Sequence, residues 1–140
     1  MHNIQSPRTE DNAIEQEIQA KGKTAPRVTP ADLQANIVSE HYFTAADGVV
    51  GVILLEGARR GRGFYPSDIP DADAALKLLT FCVLVLRNGF TVTGESACAS
   101  PENFDAAIGR KIARQNAEQK IWPLMGYELK QRLATEQAGK

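Results

Sequence analysis

Arg110 and Arg114 stand four residues apart in the run AAIGRKIAR, one helical turn apart on a single face. Two guanidinium groups at that spacing can share one phosphate or hold two adjacent ones, each through paired N–H donors. Just upstream, Ser100-Pro101-Glu102-Asn103 reads as a helix start, with a hydroxyl residue at the cap and proline at the first helical position. Such a start offers free N–H groups and the positive end of the helix dipole to an anion. Phe90 and Phe104 supply flat faces on which a base can stack, a contact worth roughly 1–3 kcal/mol. Arg132, further along the chain, adds another cation. These residue types suit the gripping of an anionic ligand with a planar group. Plainer readings stand beside this one: a solvated helix face for the arginines and a core position for Phe104.

Covalent chemistry has less to draw on. A nucleophile needs a base within hydrogen-bond reach, and the chain has two histidines, His2 and His41, and no glycine-flanked serine. His41 reads as a helix-end residue or as a base. Glu95-Ser96 pairs a carboxylate with a hydroxyl, but neighbours in a strand point to opposite faces unless a bulge turns them together. GARRGRG, carrying Arg59, Arg60 and Arg62, has glycines but lacks the strand and helix context of a phosphate loop. It suits a phosphate-grasping loop or a solvated one. The two cysteines, Cys82 and Cys98, lack metal-ligand spacing to each other or to a histidine. Neither a metal nor any other cofactor is expected, and no catalytic residue is assigned.

The elements that must hold these residues follow from composition and periodicity. One hundred and forty residues suit one domain, and 16 basic against 17 acidic side chains give a net charge of −1. That balance argues against a surface built for nucleic acid. No apolar run reaches the roughly 18–20 residues of a membrane span, and the polar N-terminus lacks a secretion signal. Residues 1–27 read as a flexible arm in which 11–20 can form a short helix. The domain spans 28–140. It opens at Thr29-Pro30-Ala31-Asp32, a capped helix start with a stripe of Leu33, Ile37 and Val38, and this helix is expected to end near His41. Glycine and proline break up 44–73, so that stretch reads as a loop excursion with room for one strand or a short helix.

Leu78–Leu86 is a strand apolar on both faces, either central in a sheet or buried against another subunit. Asn88-Gly89 predicts a type I′ hairpin turn into a return strand over 90–95, in which Gly94 permits a bulge or a close approach of another backbone. Beyond Pro101, Phe104, Ile108 and Ile112 recur every four residues, as do Ala113, Ala117 and Ile121, so a helix buries one face. Pro123 is expected to kink or end it, and Leu124, Tyr127, Leu129 and Leu133 mark a second helical stretch.

NGFTVTGESACASPENFDAAIGRKIARQNAEQKIWPLMGYELKQRL, from Asn88 to Leu133, closely resembles the core of a family of small bacteriophage proteins, the Thoeris anti-defence proteins of the first type. The motifs NGF, GESAC, P-x-NF, IG-x-x-IA and W-x-L-x-GY occur in order, and 28–37 and 81–86 also fit. The resemblance implies an α+β fold: a small antiparallel sheet with a central hairpin, packed by an N-terminal helix and one or two C-terminal helices. It also implies ligand pockets where protomers meet in a homodimer or homohexamer. The implied function is a sponge in the host bacterial cytoplasm. Such a protein binds immune cyclic nucleotides, chiefly cyclic ADP-ribose isomers and in some members cyclic oligonucleotides, without cleaving them. The family's stacking aromatic and arginines carry over to Phe104, Arg114 and Arg132, with Phe90, Asn103 and Arg110 as neighbouring candidates. The other function classes are a nucleotide-cleaving enzyme using Glu95 or His41, and a phage accessory protein that binds nucleic acid or a host protein through its basic loop.

Overall fold

A computed structural model describes residues 7–61 and 73–139. The expectations for 1–6, for 62–72 and for Arg62 lie outside the described residues. The chain runs α1 (Pro7–Ala20), α2 (Pro30–Ala35), β1 (Ile37–Thr44), α3 (Ala45–Arg59), α4 (Asp73–Leu76), β2 (Leu79–Leu86), β3 (Thr91–Ala97), a 3-10 turn (Pro101–Asn103) and α5 (Ala106–Ala138). The three strands form one antiparallel sheet in the order β1-β2-β3, and α5 packs across β2 and β3. The fold is α+β.

β2 is the central strand, which accounts for its two apolar faces. Thr80, Cys82, Leu84 and Leu86 are buried, and the alternate residues Leu79, Phe81, Val83 and Val85 are half-buried. The core joins Cys82, Leu84 and Leu86 to Val92 of β3, Leu33 of α2, and Ala113, Ala117 and Ile121 of α5. Gly94 decides how closely helix and strand meet. A Cβ there would lie 2.0 Å from the Ala113 carbonyl oxygen and 2.3 Å from the Ala117 nitrogen, both backbone atoms. The face of α5 that packs inward is therefore the small-residue stripe Gly109, Ala113, Ala117 followed by Ile121. Ile108 and Ile112, expected to face inward, are exposed, because isobutyl-sized side chains cannot fit between backbones this close.

Two helix boundaries differ from expectation. α2 begins at the predicted Thr29 capping box, with Thr29 and Asp32 each accepting the other's backbone N–H. It stops at Ala35, and 37–44 pair with β2. The stripe of Leu33, Ile37 and Val38 fits a helix. The β-branched and aromatic run Ile37–Thr44 fits a strand better once a partner is present, so His41 is a strand residue and not a helix end. Of the loop excursion expected over 44–73, residues 45–59 are instead helix α3, opened by a second capping box in which Thr44 and Asp47 exchange bonds. The Thr-x-x-Asp signal of α2 recurs at Thr44, where the glycines of the run masked it.

Ser100 makes no side-chain cap, and Pro101 opens only a 3-10 turn. The cap of α5 is Asp105, whose carboxylate accepts the Ile108 N–H at 3.1 Å. α5 then continues through Pro123 for 33 residues. Pro123 and Gln119, whose carbonyl loses its helical partner, are exposed, so water can satisfy that oxygen. The apolar row from Ile121 through Met125, Leu129 and Leu133 is half-buried or better on both sides of the proline, which keeps the helix on the body of the protein.

Of the arm expected over 1–27, residues 7–20 form α1. Glu15 binds the Arg27 guanidinium through both carboxylate oxygens, and Asp11 and Trp122 line one hollow between α1, α2 and α5. Arg27 holds the Glu15 carboxyl below its ordinary value, whereas burial raises that of Asp11.

The close approach at Gly94 has a measurable consequence. Gly94→Ala should lower stability by about 3 kcal/mol or more, at or beyond the usual cost of overpacking, because the obstructing atoms are backbone. Gly126→Ala is the contrast: it lies within α5 with nothing within 4 Å of its added methyl and should gain about 0.5–1 kcal/mol. Urea unfolding of the two variants beside the parent tests both.

Candidate anion-binding cleft

A cleft of about 660 Å³ opens where the β2–β3 hairpin tip meets α2 and the C-terminal half of α5. Its volume lies within the ordinary range for small-ligand sites. Phe90 and Arg132 line it together with Arg27 and Arg87, and Asp32, Asn36, Asn88 and Glu128 complete its polar wall.

The hairpin geometry sets the rim. Within the hairpin turn only Gly89 has positive φ, at 87°, so the turn is not type I′, which needs two such residues. Gly89 N–H bonds to Leu86 O at 2.9 Å and Leu86 N–H to Phe90 O at 2.8 Å. These bonds make a three-residue loop, Arg87-Asn88-Gly89, with the left-handed glycine at its bulge. Asn88 Oδ1 accepts the Phe90 N–H at 2.9 Å, fixing the backbone from which the Phe90 ring projects. That ring is 55% exposed, a free apolar face beside cations.

Arg87 joins the hairpin to α2. Its backbone N–H donates to Asn36 O at 3.0 Å and its Nε to Ala35 O at 2.7 Å, placing a cation on the carbonyl end of α2, where the dipole favours it. Arg132, on the facing wall, pairs with Glu128 at 2.7 Å, and both side chains are largely exposed. Exposed pairs of this kind contribute little, so an incoming phosphate can replace the Glu128 carboxylate at small cost.

The other candidate residues lie elsewhere. Asn103 is exposed and Phe104 half-buried at the 3-10 turn, and Arg110 is exposed on the first half of α5. Arg110 and Arg132 are separated by about 33 Å and Arg114 and Arg132 by about 27 Å along one helix at 1.5 Å per residue, so a nucleotide cannot touch both ends within a single protomer.

Arg114 is fully engaged. It donates through Nε to Glu118 at 2.8 Å and through a terminal nitrogen to Gln34 at 3.0 Å, and it pairs with Glu40. It thus ties α5 to α2 and β1. Glu118 is only 3% exposed, and Arg114 is its neutralising partner. Nearby, burial pushes the Tyr42 hydroxyl up to about 12 and raises the Cys82 thiol, leaving both neutral and unreactive at physiological pH.

The residues weighed for catalysis do not meet. His41 and Glu95 sit on the open face of the sheet on the two outer strands, with Val83 and Phe81 of β2 opposite them. They stand at least about 9.5 Å apart by strand spacing alone. The His41 ring contacts Ser39 at 3.1 Å, and Glu95 lies near Thr93. Among the described residues no three His, Cys, Asp or Glu side chains are grouped to hold a metal ion, and no helix is long and apolar enough to cross a membrane.

Sequence reasoning missed Arg27 and Arg87. Arg27 follows a proline in a polar stretch and Arg87 begins a turn, so neither shares a periodic face with another candidate. Arg87-Asn88-Gly89-Phe90 did carry a signal, since a tight hairpin brings its first residue close to the start of the return strand.

Residues 28–133 match the model of the phage protein family described as N4 Gp49/phage Sf6 gene 66, and the chain belongs to that family. Comparison with curated proteins and with solved structures gave no match. The matched segment runs from α2 to the C-terminal part of α5. It includes every cleft residue named above except Arg27, and it excludes α1.

Arg114→Ala should act on the fold. Leaving Glu118 buried without its partner costs about 3–5 kcal/mol, visible as a lowered urea midpoint. Full stability in this variant together with loss of ligand binding would instead assign Arg114 to a ligand.

Proposed function

We propose that this phage-family protein binds and sequesters cyclic nucleotide second messengers of bacterial immunity, holding them intact. The observation that carries the reading is the cleft in which three arginines and an exposed phenylalanine converge. Its arginines match the phosphates of a cyclic dinucleotide or a cyclic ADP-ribose isomer, and Phe90 offers a stacking face for a base. The resemblance of Asn88–Leu133 to the Thoeris anti-defence proteins supplies the ligand class. Sequestration requires holding the signal at about nanomolar dissociation constants, near −12 kcal/mol. Bidentate phosphate contacts and a stacked base in a preformed site are suited to that.

Self-association as a homodimer or homohexamer belongs to the same reading. Val52 and Leu55 on α3 are 54% and 57% exposed, and Phe43 stacks on Phe81 with ring centres 5.6 Å apart on the open face of the sheet. These apolar surfaces favour association between copies. Assembly is also the means by which residues at the Phe104 end of one α5 approach the cleft of another copy. The proposed place of action is the host bacterial cytoplasm, with no membrane or nucleic-acid partner.

Incubation with cyclic ADP-ribose isomers and cyclic di- and trinucleotides, removal of the free fraction and heating of the complex test the reading. One nucleotide should vanish from solution and return chemically unchanged. An altered product makes the protein an enzyme, and no depletion at all removes the sponge reading. Phe90→Ala should weaken retention by about 1–3 kcal/mol, roughly 5- to 150-fold. The pair Arg87→Ala with Arg132→Ala should weaken it by at least about tenfold, each lost charge-assisted contact being worth about 1.5 kcal/mol or more.

A further inference from the structure

We infer that Arg27 is an anion-binding residue of the cleft and that Glu15 of α1 occupies its guanidinium as an internal stand-in for a ligand phosphate. The inference rests on the cleft being the nucleotide site. Arg27 lines the cleft with Arg87 and Arg132, yet both of its terminal nitrogens are taken by the two carboxylate oxygens of Glu15. A carboxylate presented edge-on is the closest match among protein side chains to the two oxygens a phosphate offers an arginine. The pair is largely sheltered, with side-chain exposures of 24% for Arg27 and 14% for Glu15, so it excludes water much as a bound ligand would.

The helix that delivers Glu15 is lightly attached. α1 is mostly polar, with Ile14 56% exposed and Ile18 half-buried, and beside its contact with α2 it sets Asp11 against Trp122, a carboxylate whose burial opposes its ionised form. Such a helix gains little from apolar burial, so a stronger anion can compete with it. Charge in the cleft follows the same logic. With Glu15 in place, Arg27, Arg87 and Arg132 face Glu15, Asp32 and Glu128; with Glu15 withdrawn, three cations face two carboxylates, of which Asp32 is committed to the Thr29 cap. Both partners of the pair, Glu15 and Arg27, lie outside the segment matched by the family model, which begins at residue 28, so the pair as a whole is added at the edge of the matched cleft. Ligand binding and α1 docking then oppose each other, and each weakens the other by the same factor.

Pyrophosphate, the simplest paired phosphate, serves as the probe in calorimetric titrations of the full chain. Glu15→Gln should tighten its binding roughly threefold or more, the factor by which a mostly closed form reduces apparent affinity. Glu17→Gln removes the same charge from an exposed pair with Lys21 and should leave the affinity unchanged. Adding Arg27→Ala to Glu15→Gln should abolish the gain. Equal affinity in Glu15→Gln and the parent, or a gain that survives Arg27→Ala, overturns the inference. If Arg132→Ala lowers affinity while Glu15→Gln does nothing, the cleft stands as an anion site and only the role of Glu15 falls. If neither the parent nor Glu15→Gln binds pyrophosphate, the cleft reading and this inference fall together.

Discussion

The contact between α5 and β3 at Gly94 is the constraint on which the rest of the molecule depends. Because no side chain separates the two backbones, the helix lies directly on the strand, and its inward face is limited to Gly109, Ala113 and Ala117 until Ile121. That proximity brings Asn116 to the β3 edge, where its Nδ2 donates to Glu95 O at 2.8 Å. It also sets the line along which α5 leaves the sheet. Beyond Ile121 the helix runs past the hairpin tip, so Met125, Glu128 and Arg132 stand opposite Arg87 and Phe90 across the cleft. A bulkier residue at position 94 would lift the helix and open that wall.

A second layer of organisation is electrostatic. Arg114 ties α2, β1 and α5 together through Gln34, Glu40 and Glu118, an arrangement that locks one relative placement of three elements around a buried carboxylate. Arg87 closes the end of α2 from the hairpin. Arg27 and Arg132 also have partners, but theirs belong to exposed or lightly docked elements and can be exchanged. The arginines thus divide by where they stand: Arg114 is spent on the fold, while Arg27, Arg87 and Arg132 line a cleft, Arg87 with its Nε on the Ala35 carbonyl. Spacing along one helix cannot show that division, since it depends on what the other elements bring.

The legible parts of the sequence were those with local causes. The Thr29 cap, a hairpin at Asn88-Gly89, a strand apolar on both faces ending at Leu86 and the room that Gly94 leaves for a bulge or a close approach all follow from residues near one another in the chain. Harder to read were choices settled by partners. Ile37 and Val38 completed a helical stripe with Leu33, and the strand over Ile37–Thr44 is settled by the ladder that β2 offers. Ile108 and Ile112 looked like core until Gly94 brought the backbones together. Pro123 was expected to kink or end the helix, which continues through it with an apolar row on both sides. The lining of the candidate cleft was half legible for the same reason. Phe90 and Arg132 were named from their chemistry, whereas Arg27 and Arg87 enter only because α2 and the hairpin fold against each other.

The central claim is that the cleft between hairpin, α2 and α5 holds a cyclic nucleotide intact. Its most direct test is a titration of isotopically labelled protein with a cyclic ADP-ribose isomer, following backbone amide and ligand phosphorus resonances together. The account predicts shifts concentrated at Arg87–Phe90 and around Glu128–Arg132, with phosphorus signals that change on binding and then stay constant for hours. Shifts confined to Asn103–Arg114, or phosphorus signals that evolve into those of a new compound, would contradict it.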